Sequence, residues 1–132
     1  LIQLKEQHFT LQDINEKRVY EFMLLLEVNY KNKRTADFYA SKLDISAKRL
    51  NQILKEKLDK TGVQLIHDRL ILEAKRQIIH SENTIKEIAF NLHFKDQSYF
   101  SRFFKQHVGQ TPQEFQNNVK EHVISHDNTL YT

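Results

Sequence analysis

A block of this sequence returns on itself. Ala40, Leu43, Asp44 and Ile45 recur 49 residues later as Ala89, Leu92, His93 and Phe94, and Leu50, Leu54, Lys55, Asp59 and Thr61 recur at a distance of 50 as Phe100, Phe104, Lys105, Gly109 and Thr111. An apolar period alone would not also return Ala, Lys and Thr in register. Each copy spells a short helix, a tight turn, a longer helix and a capped start to the next helix. That is the grammar of a helix-turn-helix, in which the second helix enters a DNA major groove.

The rest of the chain agrees with a helical fold. Two glycines and one proline in 132 residues are too few turn formers for a sandwich or barrel, so the expected class is all-α. Asp13 followed by Glu16 reads as a helix start, and Val19, Phe22, Met23, Leu26 and Tyr30 follow one helical face. Thr35, Ser46, Thr61 and Thr84 can cap the next four helices, with Tyr39 and Ala40, then Leu50, Ile53, Leu54 and Leu58, then Ile85, Ile88, Ala89 and Leu92 inward. The fourth helix, about 62–80, carries apolar residues nearly all round (Leu65, Ile66, Leu70, Ile71, Leu72, Ala74, Ile78, Ile79), so it should be covered on more than one side. A sixth helix runs from Lys95 to about Val108 on Phe100 and Phe104, stops at Gly109, and gives way to a seventh at Thr111–Pro112 with Phe115 inward. The expected architecture is seven helices, with two helix-turn-helix subdomains joined by a long central linker helix.

Composition removes whole classes of function. Without cysteine there is no disulfide framework, thiolate zinc site or cysteine nucleophile. No apolar run reaches the length of a membrane span, and LIQLKEQHF lacks the pattern of a signal peptide, so a soluble, cytoplasmic protein with no membrane partner is expected. Opening on Leu1 rather than Met, the chain reads as a fragment of something longer. No Ser/His/Asp grouping, paired carboxylates or glycine-rich phosphate loop stands out; no catalytic residue, cofactor or metal is expected. His122 and His126 have ligand spacing but no third ligand in register. The net charge of +3 is unevenly spread: residues 46–120 hold thirteen Lys/Arg against eight Asp/Glu, and the remainder holds seven against nine. A basic excess over the repeat is the footprint of a polyanion binder.

The run IKEIAFNLHFKDQSYFSRFFKQHVGQTPQEF closely resembles the signature of the AraC/XylS family of bacterial transcription regulators, roughly I-x-x-I-A-x-x-x-G-F-x-D-x-S-Y-F-x-R-x-F-K-x-x-x-G-x-T-P. Ile85, Ile88, Ala89, Phe94, Asp96, Ser98, Tyr99, Phe100, Arg102, Phe104, Lys105, Gly109, Thr111 and Pro112 fill the pattern, and the first copy with LILEAKRQI resembles the less regular first half of the domain. The resemblance implies a DNA-binding domain over 18–120, with helix-turn-helix units at about 35–58 and 84–108 and the linker helix at about 62–80. Residues 1–17 would be a linker or the remnant of a preceding sensing domain, and 121–132 a flexible tail. It further implies a gene activator or repressor, RNA polymerase as a partner, and homodimerisation through the preceding domain. His93 stands where the family's second turn usually has Gly, and Asp44 and Asp59 where Gly is common in the first unit. Left-handed backbone there would cost each about 1 kcal/mol or somewhat more, and Asp and His tolerate it best.

Opposite the apolar faces lie the candidate base readers: Lys48, Asn51 and Gln52 on the third helix, and Gln97, Ser98, Ser101 and Arg102 on the sixth. By resemblance these are the family's reading positions. Arg102 suits a guanine bidentately, and Asn51, Gln52 or Gln97 an adenine, each good pair being worth about 1–3 kcal/mol in discrimination. Ser46, Lys95 and Tyr99, with Lys48, suit phosphates, as do the N–H groups at the helix starts. A rod of roughly 28 Å between the units could hold both helices on one face of a duplex whose major grooves repeat about every 34 Å. The rival reading is a helical protein-interaction module with a basic face, favoured by Leu24, Leu25 and Val28, which exceed one buried stripe on the first helix.

Overall fold

The computed structural model describes residues 11–130, with side chains described for 13–122. The described residues form seven helices and no strand: α1 (Leu11–Asn29), α2 (Ala36–Lys42), α3 (Ala47–Leu58), α4 (Gly62–His80), α5 (Ile85–Asn91), α6 (Gln97–Val108) and α7 (Pro112–Leu130). The all-α expectation holds. The chain divides into two compact units whose boundary, between Arg69 and Leu70, falls inside α4.

The first unit closes on Phe22 and Leu26 of α1, Tyr30 just after it, Tyr39 and Ala40 of α2, Leu50, Ile53 and Leu54 of α3, and Ile66 at the start of α4, all buried. Phe22 meets Tyr39 edge-on at 5.2 Å between ring centroids. The Tyr39 hydroxyl donates to the Lys33 carbonyl at 2.7 Å. Burial of the phenol pushes its pKa up to about 12, because the ionised form would lose its hydration. Arg69 ties α4 back to α1: it binds both Glu27 oxygens at 2.8 and 2.7 Å and lies 4.3 Å from the centre of the Tyr30 ring. The second unit closes on Leu70, Ala74 and Ile78 of α4, Ile85, Ile88 and Ala89 of α5, Leu92 and Phe94 of the turn, and Phe100 and Phe104 of α6. Phe94 lies 5.1 Å from both Phe100 and Phe103, and Phe104 is 5.6 Å from Phe115 of α7.

The repeat seen in the sequence is repeated bond for bond. Ile45 N–H donates to the Ala40 carbonyl at 3.1 Å, and Phe94 N–H to Ala89 at 3.0 Å. Asp44 N–H donates to Ser41 and His93 N–H to Phe90, while Asp59 and Gly109 return to Lys55 and Lys105. Asp44 (φ 57°), His93 (63°), Asp59 (59°) and Gly109 (90°) are all left-handed, so the three departures from glycine sit where the backbone demands that conformation.

Caps recur as well. Ser46 accepts from Arg49 N–H at 3.0 Å and Asp96 from Tyr99 N–H at 2.7 Å. Thr61 accepts from Gln64 N–H at 3.3 Å and Thr111 from Glu114 N–H at 3.1 Å. Thr84 forms a reciprocal capping box with Glu87, whereas Thr35 makes no side-chain cap.

Several expectations are corrected. Residues 11 and 12 are already helical, so Asp13 lies within α1 rather than at its start. Of the linker expected over 1–17, residues 1–10 lie outside the described residues, and residues 11–17 are helical. The sixth helix starts at Gln97, because the Asp96 carboxylate takes the cap one residue after Lys95. The α7 helix continues past Lys120 to Leu130, since nothing between 113 and 130 breaks it: there is neither Gly nor Pro. Met23, Leu58, Leu72 and Ile79 are exposed rather than inward, so α4 is not covered all round. Met23 and Leu58 lie beside a buried stripe, whereas Leu72 and Ile79 lie on the face of α4 opposite its buried residues.

Candidate nucleic-acid interface

Each longer helix of the repeat presents one packed face and one open face. On α6 the packed face is Phe100 and Phe104, and this fixes the rotation of the helix. Gln97, Ser98, Tyr99 and Arg102 are then exposed and Ser101 half-buried, with Lys95 exposed just before the helix. The Arg102 guanidinium lies 6.0 Å from the centre of the Tyr99 ring, a cation–π approach. On α3, burial of Leu50, Ile53 and Leu54 leaves Lys48 and Gln52 exposed, and Ser46 exposed at the start. Lys48, Lys95 and Arg102 form no ion pair among the described residues, whereas Lys55 pairs with Asp59 and Lys57 with Glu16. These three cations stand at the starts and open faces of the two helices, available to an anion.

Asn51 differs from the other candidates. Its side chain is half-buried and its Oδ1 accepts the N–H of Gly62, the first residue of α4, at 2.9 Å. It lies on the reading helix but is committed to the fold. The cap bonds also change the account of the helix starts: the N–H groups of Arg49 and Tyr99 are already satisfied by Ser46 and Asp96. The free N–H groups nearest a phosphate would be those ahead of them in the first turn. Periodicity passes over Phe90, which is 79% exposed on α5 and lines a cleft with Lys86, Lys95 and Gln97. Its place outside the Ile85, Ile88, Ala89, Leu92 stripe is the one signal that marks it.

Comparison with known proteins places the chain among helix-turn-helix regulators. A family profile described as a helix-turn-helix domain matches residues 39–118, more than half of the chain. The chain belongs to the AraC/XylS family. Among curated AraC/XylS relatives, the transcriptional activator RhaS of Yersinia pestis is 26% identical over 107 residues, covering 81% of this chain. Those residues span only 39% of RhaS. Among solved structures, an AraC-type DNA-binding transcriptional regulator from Chromobacterium violaceum superposes with a TM-score of 0.69 at 20% identity, covering 77% of this chain and 91% of that one. The DNA-binding domain of the transcription factor AdpA, solved with a target DNA, gives 0.69 at 14% identity, covering 80% and 94%. The AraC/XylS relatives are transcription regulators, not enzymes. Among the described residues no helix is long and apolar enough to cross a membrane, and no three potential ligands gather for a metal.

Proposed function

We propose that this chain is the sequence-specific DNA-binding domain of a bacterial transcription regulator, with α3 and α6 in successive major grooves of a double-stranded promoter site. The observation that carries the reading is the doubled unit itself: two helices with matching caps and turns, each bearing an open polar face with unpaired cations. Arg102, Gln97, Ser98 and Ser101 on α6, with Lys48 and Gln52 on α3, contact base edges; Lys95, Tyr99 and Ser46 hold phosphates. Further proposals extend to the whole protein: a cytoplasmic regulator that contacts RNA polymerase, acts as an activator and dimerises through a domain outside this chain. The activator role is supported by the name of the RhaS relative.

Selection of binding sites from random duplex DNA with the purified domain tests the reading. Two half-sites about one helical turn apart are expected. If about six phosphates are neutralised, log K should fall with log salt at a slope near −5. Equal affinity for selected and random duplex would overturn it.

The rival reading as an interaction module rests on Tyr20, Leu24 and Val28 of α1, which are 65%, 53% and 80% exposed at a four-residue step. Deleting α1 would remove core residues Phe22 and Leu26. The test is therefore the triple substitution of Tyr20, Leu24 and Val28 by Gln: loss of self-association in sedimentation with DNA binding intact assigns that stripe to assembly.

A further inference from the structure

Asn51 occupies a reading position by sequence, yet its Oδ1 is bonded to the Gly62 N–H. The bond sits at a crowded junction of three helices. Gly62 is buried, and a Cβ there would lie 3.3 Å from Asn51 Oδ1, 3.4 Å from Ala36 Cβ at the start of α2, and 3.7 Å from Leu54 Cδ1 of α3. Glycine lets α2, α3 and α4 meet, and leaves a buried first-turn N–H that no helical carbonyl can satisfy. Asn51 supplies the missing acceptor. The second unit solves the same problem differently. Fifty residues on, Gly62 becomes Pro112, which is buried and has no N–H, and Asn51 becomes Ser101. With nothing to satisfy there, Ser101 is not held.

We infer that Asn51 is a positioning residue rather than a base reader, and that α3 consequently reads DNA with Lys48 and Gln52 alone, while α6 reads with Gln97, Ser98, Ser101 and Arg102. The inference rests on the reading of α3 and α6 as DNA-reading helices. Holding Asn51 to Gly62 fixes the orientation of α3 against α4, so its loss loosens every contact of the first half-site together and leaves the second half-site alone. The first half-site is accordingly read at fewer base pairs than the second.

The test is binding-site selection with the whole chain carrying N51S, N51D or N51S/G62P, together with amide hydrogen exchange at Gly62. N51S is expected to lose about tenfold in affinity, the size of one buried hydrogen bond, with all base preferences of the α3 half-site flattened evenly and those of the α6 half-site unchanged. N51D keeps an acceptor for Gly62: its slow amide exchange and preferred bases persist, although the added charge lowers affinity for every sequence. N51S/G62P reproduces the arrangement of the second unit and recovers the α3 half-site. A change of preferred base at one position in N51S or N51D overturns the inference, as does a Gly62 amide that exchanges as fast in the unaltered protein as in N51S. Should N51S/G62P fail to fold, N51D and the exchange measurement decide. A wild-type chain with no sequence preference overturns the DNA-binding reading, and the inference falls with it.

Discussion

The two units share a backbone plan and exchange their aromatic mass. Where the first has Ile45, Leu50, Ile53 and Leu54 around its longer helix, the second has Phe94, Phe100, Phe103 and Phe104. Where the first has Phe22 and Tyr39 on its two preceding helices, the second has Ile71 and Ile88 at a step of 49. Packing at interior density asks for total volume in complementary places, not for a given residue at a given place. Turn bonds and left-handed residues, by contrast, recur with little change, because backbone geometry allows few alternatives. The units therefore differ in which helix anchors the core: α1 and α2 in the first, α6 in the second.

The largest expected effect tests that difference. Phe100→Ala should cost about 3–5 kcal/mol and Leu50→Ala about 2–5 kcal/mol, with Phe100 the dearer, by chemical denaturation. Leu50→Phe, which gives the first unit an aromatic on both faces of its core, should cost about 1–3 kcal/mol through overpacking. A greater loss at Leu50 than at Phe100 would show that α3 anchors its unit as heavily as α6 and would break the contrast.

The open faces differ next. Arg102→Ala should lower discrimination at one base pair of the α6 half-site by about 1–3 kcal/mol, read by competition between selected and altered duplexes. Gln52→Ala, removing a single uncharged reader from α3, should cost less. Lys95→Ala should weaken all sequences alike and reduce the magnitude of the salt slope by about one. A base-specific effect at Lys95 would move it from the phosphate set to the reading set.

These contrasts were unequally legible in the sequence. The helices and the repeat were readable because caps, turns and apolar steps are local, encoded within about four residues of where they act, while the left-handed positions at Asp44, Asp59 and His93 were marked only by the glycines of the family pattern. The Asn51–Gly62 bond was not, since it joins helices eleven residues apart and depends on the angle at which they meet. Its trace, Gly62 matched by Pro112, was present but has no meaning until Asn51 is seen to approach. Met23 and Leu72 were misplaced for a related reason: the apolar stripe of a helix can be wider than the surface its neighbours cover. The sixth helix starts after Lys95 because the Asp96 carboxylate reaches the third N–H and caps the helix there.

Left-handed turns offer a smaller test. Asp59 and Gly109 end the two longer helices in the same conformation, and a Cβ at Gly109 would meet nothing within 4 Å. Gly109→Ala should therefore cost only its backbone term, about 1–2 kcal/mol, and Asp59→Gly should gain up to about 1 kcal/mol. Thermal unfolding of both variants reads the pair. If Asp59→Gly destabilises, the ion pair of Asp59 with Lys55 outweighs the relief of backbone strain.

The smallest expected difference lies in acid. The Thr84 backbone N–H, bonded to the Glu87 carboxylate at 3.1 Å, holds the Glu87 pKa below the ordinary carboxylate value, and the Thr84 hydroxyl adds to the effect. A lowered folded-state pKa means that the stabilisation is complete above the unfolded value and is lost as pH falls through the folded one. The first unit has no equivalent, because Thr35 makes no side-chain cap and Phe38 stands where a capping carboxylate would be. Glu87→Gln keeps an acceptor but removes the titration, so it should leave the stability of the chain flatter as pH falls through and below the ordinary carboxylate range. The change should appear in probes of α5 and not in probes of α2. If amide exchange in α2 responds equally to Glu87→Gln, acid acts on the two units together, and their capping difference does not separate them energetically.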